Sequence, residues 1–398
     1  MNLSTKILIG LGLGVLAGLG LGSEGVPFAK AWIAPFGAIF LNLIKMIIVP
    51  LVFASLIIGV CGLGDIKKIG RIGTKTLAFY LGTTAFAIVL GLVLGTIFQP
   101  GLGLSMPGAE VKTAAKAAPP LMKVIVDIFP SNPMDAMLKA NMLQIIVFAL
   151  FIGGGIAVVG EKAKTVYNFF DGLAETCYAI VGMIMTIAPL GVFALIAPVV
   201  AANGPSVLLP LLKVIICVYL GCLLHAVVVY GSLLKFVGGY SPIKFFKNVL
   251  PAQLVAFSTC SSSATLPVSM ECVQKMGVSK EISSFVLPLG ATINMDGTAL
   301  YQGVCALFVA QIYGIDLTSA QMMTIILTGT LASIGTAGVP GAGLIMLTMV
   351  LQSVGLPLEG VALVAGIDRV LDMPRTTVNI TGDAVVAYLV GKSEGKKA

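Results

Sequence analysis

The 398-residue chain is 58% hydrophobic and only 10% charged, which no soluble core of this size needs and which points to an integral membrane protein. Its net charge of +7 sits in short basic segments with no aromatic-interleaved stripe, which excludes a nucleic-acid binder. The seven cysteines are scattered through apolar segments without a CxxC spacing and read as buried, reduced residues, not a disulfide framework or metal centre.

The chain opens on ILIGLGLGVLAGLGLG. This run lacks a cleavage signal and repeats Gly10, Gly14 and Gly18 at i, i+4, so we expect a retained first helix with a packing face. Apolar spans follow at about 30–62, 67–99, 119–160 (broken by Ser-Asn-Pro near 131), 163–201 and 207–237, each at or above the ~20 residues that cross a bilayer. The basic segments DIKKIGRIGTK, EKAK, the surroundings of Lys235, Lys244 and Lys247, and the tail GKSEGKKA belong on the cytoplasmic side. The charge-poor SEGVPFAK, QPGLGLSMPG and ANGPS belong outside. Both termini are then cytoplasmic. The single histidine, His225, lies inside CLLHAVVVY and reads either as a satisfied interior histidine or as a proton relay.

Beyond residue 240 the pattern changes. Two polar or Gly-rich knots, STCSSSATLP (258–267) and SIGTAGVPGAG (333–343), interrupt apolar regions. An irregular loop cannot face lipid, because each unpaired backbone group costs several kcal/mol. Two re-entrant helical hairpins resolve this, entering from opposite sides and meeting tip to tip; two kinked ordinary helices are the alternative. Pro267 and Pro340 fall at comparable distances after the two knots, as in an inverted repeat.

Between the knots lies LPLGATINMDGTALYQG, where Asp296 is flanked by Asn294, Gly297 and Thr298. Unwound, Gly-rich backbone offers carbonyl oxygens and the aspartate adds a negative one, a hard donor set suited to Na⁺. The last apolar segment contains GIDRVLDMPRTTVNITGD. Asp368, Asp372, Arg375, Thr376, Asn379 and Asp383 fall within roughly 120° of helical arc. At ~2.5–3.5 kcal/mol per charge at mid-bilayer, the five charges of this stretch would cost about 12–17 kcal/mol against lipid, so the stripe must face protein and partners. Asp372 and Arg375 can pair at i, i+3. Pro374 between them removes one backbone donor and loosens the helix locally. The guanidinium fork suits a ligand's side-chain carboxylate, Asp372 its ammonium, and backbone N–H groups at Ser261 to Ser263 its α-carboxylate.

CSSSATLP, NMDGT, GTAGVPGAG and LDMPRTTVNITGD, in this order and over essentially the whole chain, resemble the dicarboxylate/amino acid:cation symporter family, which includes archaeal aspartate transporters and animal excitatory amino acid transporters. The resemblance implies an all-α polytopic protein with eight transmembrane helices, two re-entrant hairpins and inverted repeats. It implies a homotrimer working as an elevator in a prokaryotic plasma membrane. Residues 1–65 and 109–203 would form a scaffold, and residues 66–108 and 204–398 a transport domain, with the second hairpin as the outer gate. The implied substrate contacts are Ser262, Thr298, Val339, Gly343, Asp372, Arg375, Thr376 and Asn379. One sodium ion would lie among Gly290, Asn294, Asn379 and Asp383. A second would lie at Thr292, Ser333, Ile334 and Thr336, and a third at Tyr80, Thr83, Thr84, Asn294 and Asp296.

Within the family, Arg375 favours an acidic amino acid, aspartate or glutamate, over a neutral one, and Asp383 favours sodium coupling over proton coupling. The chain departs from its relatives at Cys260 and Met373, where archaeal and animal members respectively place a further arginine. The nearest rival is a proton-coupled carrier of the same fold. A serine hydrolase reading fails for want of a GxSxG elbow, and the only histidine lies in a different span from the serines. A plain ion channel would not need the substrate-like stripe.

Overall fold

The computed structural model describes residues 3–63, 71–104, 126, 129–334, 338 and 341–395, and every regular element among them is helical. Among these residues, four helical segments are long and apolar enough to cross a bilayer: Ser23–Cys61, Arg71–Phe98, Gln144–Thr186 and Gly204–Val237. Leu16, Trp32, Ile97, Phe151 and Phe236 are exposed, as a lipid-facing surface requires.

The first helix, α1 (Leu3–Leu21), lies against α7 (Ala188–Asn203) through the expected glycine face. A Cβ on Gly14 would come 3.0 Å from the Phe193 carbonyl oxygen and one on Gly18 2.7 Å from that of Ala197; Gly10 abuts the Pro189 carbonyl. Between them in sequence, α2 (Ala34–Leu63) packs on α5 (Met142–Val159), α6 (Lys164–Thr186) and α7. The expected span 163–201 is two helices, not one. Pro189, near the start of α7, has no N–H to continue the ladder, and the chain turns at Ile187. The expected span 119–160 contains the short α4 (Pro133–Leu138) and α5, and its part before residue 126 lies outside the described residues.

The second group of helices starts with α3 (Arg71–Phe98), packed on α12 (Asp296–Ile312). α8 (Leu208–Leu224) continues through π-helical turns at His225–Tyr230 and Leu233–Val237. α9 (Pro242–Thr259) stops at Cys260, whose φ of 54° is left-handed, and α10 (Ser262–Lys275) begins with the Ser261 hydroxyl accepting from the Ala264 N–H at 3.2 Å. α11 (Lys280–Ile293) leads through the Asn294–Met295 break into α12. α13 (Ser319–Ser333) and α14 (Ala342–Ser353) form the second broken pair, and α15 (Val361–Ser393) closes the fold. Both knots therefore break their helices. The tips meet, since the Ser261 Oγ and the Ser263 N–H both donate to the Gly338 carbonyl, at 2.8 and 3.2 Å.

At its far end α15 is tied down by charge. Glu394 accepts from Arg71 Nη2 at 2.8 Å and Lys75 Nζ at 2.7 Å, and these two cations hold its carboxyl at a pKa of about 2.

Candidate functional site

The polar stripe of α15 faces inward along its length. Asp368, Asp372, Arg375, Thr376, Asn379 and Asp383 are all buried, with Arg375 at 0% exposure. The charges meet partners, as the desolvation cost demands. Arg375 Nη1 donates to Asp368 Oδ1 at 2.8 Å, and Nη2 lies 2.9 Å from Asp372 Oδ1. The guanidinium also stacks 4.0 Å from the Tyr301 ring centroid, a cation–π contact on its second side. Thr376 Oγ1 donates to Asp372 at 3.3 Å. Gly343 is the near wall from the second hairpin: a Cβ there would come within 3.0 Å of Arg375 Nη2.

A cavity of about 10 Å³ lies beside this cluster, lined by Cys260, Ser262, Met295, Thr298, Gly338, Gly343, Asp372, Thr376 and Asn379, among others. Six of the eight expected substrate residues (Ser262, Thr298, Gly343, Asp372, Thr376, Asn379) thus surround one space. Arg375 stands directly behind Gly343. Val339 lies outside the described residues. The space holds about one water, far less than an amino acid. A second cavity of about 510 Å³ lies across Asp368 and Asp372, walled by apolar side chains of α2, α6 and α14. Asp372 and Ala342, the first residue of α14, line both cavities and so stand at the boundary between them.

Below the cavity, oxygens converge. Asn294 Nδ2 donates to Asp383 Oδ1 at 2.9 Å and to the Asn379 carbonyl at 3.2 Å, while its own Oδ1 is buried without a protein partner. A Cβ on Gly290 would overlap Asp383 Oδ1 and lie 2.5 Å from the Tyr80 hydroxyl. Glycine at 290 therefore lets a carboxylate and a phenol share one space. The first expected sodium set (Gly290, Asn294, Asn379, Asp383) is brought together.

Asp296 anchors the third set. Thr84 Oγ1 donates to its Oδ1 at 2.6 Å, and Tyr230 OH to its Oδ2 at 2.7 Å. His225 Nε2 lies 3.1 Å from that same Oδ2. Tyr80 instead donates to the Val286 carbonyl at 2.9 Å, and Thr83 to carbonyls of its own helix. Members of the second set are not joined by any contact described. Thr292 is exposed and turns back to the Leu289 carbonyl at 3.0 Å, Ser333 to that of Thr330 at 2.7 Å, and Ile334 is buried at the end of α13. Thr336 lies outside the described residues.

Sequence reasoning missed several participants. Asp368 lies in the predicted stripe but was given no partner, and Arg375 reaches it two turns away. Tyr301 carries no signal beyond its place in NMDGTALY. Arg369 closes the end of α9, donating to the Ser258 and Thr259 carbonyls at 3.1 and 3.3 Å, where a cation complements the helix dipole. The pairing of Tyr230 and His225 with Asp296 joins segments far apart in sequence.

The sequence profile of the sodium:dicarboxylate symporter family matches residues 3–393. The chain is 41% identical to a proton/sodium-glutamate symport protein of Geobacillus stearothermophilus, over 100% of this chain and 95% of that protein. It is 38% identical to a proton/glutamate-aspartate symporter of Escherichia coli (99% and 93% covered) and 33% identical to a C4-dicarboxylate transport protein of Bacillus subtilis (99% and 94%). From its polar stripe, its paired hairpin tips and this match over nearly its full length, the chain belongs to the sodium:dicarboxylate symporter family.

Proposed function

We propose that the protein is a secondary active transporter that takes up L-aspartate or L-glutamate with sodium. The observation that carries this is Arg375: a wholly buried guanidinium, its Nε without a protein partner, directly behind the cavity where the two hairpin tips meet. Nothing about packing requires such a group there, whereas a dicarboxylic ligand does. Arg375 takes the side-chain carboxylate. Asp372 takes the ammonium. Ser261 and Ser263 already use their N–H groups, on Thr259 Oγ1 and the Gly338 carbonyl, which leaves the Ser262 N–H at the first turn of α10 for the α-carboxylate. Val339, Thr298, Gly343, Thr376 and Asn379 complete the contact surface.

Sodium ions are the co-transported cargo. The orphaned Asn294 Oδ1, beside Asp383 and the Gly290 backbone, supports one site. Asp296 with Thr84 supports another. Thr292, Ser333, Ile334 and Thr336, the second expected set, would form the remaining site.

Because the cavity admits about one water, the tips must part before an amino acid enters. The second hairpin stands at the boundary between the two cavities and is the gate in this reading. The polar ties described above all fall within residues 66–108 and 204–398, which supports reading those segments as one transport domain, with residues 1–65 and 109–203 as the scaffold. Eight spans, a homotrimer, an elevator displacement and cytoplasmic termini in the bacterial inner membrane complete the reading.

Proton coupling is the alternative, and the names of the relatives carry both ions. Uptake of radiolabelled L-aspartate into proteoliposomes with an imposed Na⁺ or H⁺ gradient decides. Sodium-driven accumulation is expected, and uptake indifferent to sodium refutes it.

A further inference from the structure

Pro374 sits within α15, between Asp372 and Arg375, and has no N–H. In an unbroken helix residue 374 donates to the carbonyl of residue 370. The Val370 carbonyl therefore lacks its helical partner. Tyr219, on α8, reaches across and donates its hydroxyl to that oxygen at 3.1 Å. The helix runs on without interruption from Val361 to Ser393 despite the proline. The two features explain each other: a tyrosine from a neighbouring helix supplies the one donor that the proline withholds.

We infer that Tyr219 is a positioning residue for the substrate site, acting on Asp372 and Arg375 through the gap at Pro374. This inference rests on the reading of Asp372 and Arg375 as substrate ligands. A proline in mid-helix normally kinks it, and an orphaned carbonyl swings toward any donor. The turn from Val370 to Pro374 carries Asp372, and Arg375 follows at once. Its geometry sets how far the Asp372 carboxylate and the guanidinium fork stand from the cavity. Tyr219 touches neither the cavity nor the expected cation sites, and its ring is only half buried. Its hydroxyl is a lever on the helix and nothing more.

The test is a double-mutant cycle on the full-length protein, with Y219F, P374A and the double variant. Alanine at 374 restores the N–H, so the Val370 carbonyl regains an intrahelical donor. Two readouts are taken: the Kd for L-aspartate at saturating sodium, and amide hydrogen exchange across residues 368–378 without ligand. Y219F should weaken aspartate binding about tenfold and speed exchange in that segment, the cost of one orphaned, half-buried acceptor. In the P374A background the same change should cost less than about twofold. An equal loss in both backgrounds overturns the proposal, as does faster exchange in Y219F with unchanged aspartate affinity. Wild-type protein that binds no aspartate defeats the substrate reading instead, and the exchange cycle then still decides whether Tyr219 serves the Pro374 gap.

Discussion

Arg375 offers the sharpest test. Replacing it with alanine removes the partner of two buried carboxylates, each 7% exposed, and empties the space under the Tyr301 ring. Breaking a buried ion pair from one side costs about 3–5 kcal/mol, because the surviving charge keeps its desolvation penalty. Two contacts of 2.8 and 2.9 Å converge here, so R375A belongs at the upper end of that range. Adding D368N removes one of the stranded charges and should recover about 1–3 kcal/mol. R375K keeps the charge but loses the fork, and should fall between wild type and R375A. Thermal unfolding of the detergent-solubilised protein gives the stability order. Calorimetric titration with L-aspartate gives the binding order, in which R375K should lose about 10- to 150-fold, the worth of one charge-assisted hydrogen bond. If D368N lowered the stability of R375A further, the buried-charge argument would be wrong, and if R375K bound aspartate like wild type, the carboxylate role of Arg375 would be wrong.

Gly290→Ala places a methyl between Asp383 and the Tyr80 hydroxyl, so the sodium concentration for half-maximal aspartate binding should rise about tenfold or more, read by aspartate titrations at stepped sodium. Gly10→Ala should cost about 1–3 kcal/mol by overpacking the α1–α7 seam against Pro189, while Gly12→Ala, with open space around it, should not; thermal unfolding compares the two. The Glu394 clasp has a definite pH window. Its folded pKa of about 2 lies below its ordinary 4.5, so its stabilisation is complete above pH 4.5 and fades as the pH falls toward 2. The difference in unfolding temperature between wild type and E394Q should shrink over that range; a difference that stays constant would show that the clasp contributes nothing.

Much of the architecture was legible because lipid punishes disorder. A Ser-rich or Gly-rich knot inside an apolar region has few solutions, and helices end at Cys260 and at Ile334 as that logic requires. The stripe on α15 was legible for the same reason, since a helix with three aspartates on one face can point only one way. The break at Ile187 was not: an apolar run without polar punctuation hides where one helix stops and the next starts, and Pro189 was the only mark. Within the site, the i, i+3 pairing of Asp372 with Arg375 follows from helical geometry, but the choice of Asp368 as second partner depends on side-chain reach. Tyr301 under the guanidinium, and Tyr230 and His225 on Asp296, depend on how separate helices dock. No periodicity encodes that.

The single carboxylate of Asp296 holds Thr84 from α3 together with His225 and Tyr230 from the extension of α8. Directional bonds of this kind behave like a keyed joint: three helices pinned to one group have one register and cannot creep past each other. A greasy contact has no such notch, and the meeting of α1 and α7 with α15 is of that second sort where apolar residues such as Leu11 and Val192 abut Gly366. Mechanical compliance in this fold is therefore graded by bond type, stiff around the buried Asp296 carboxylate and yielding at its oily margins.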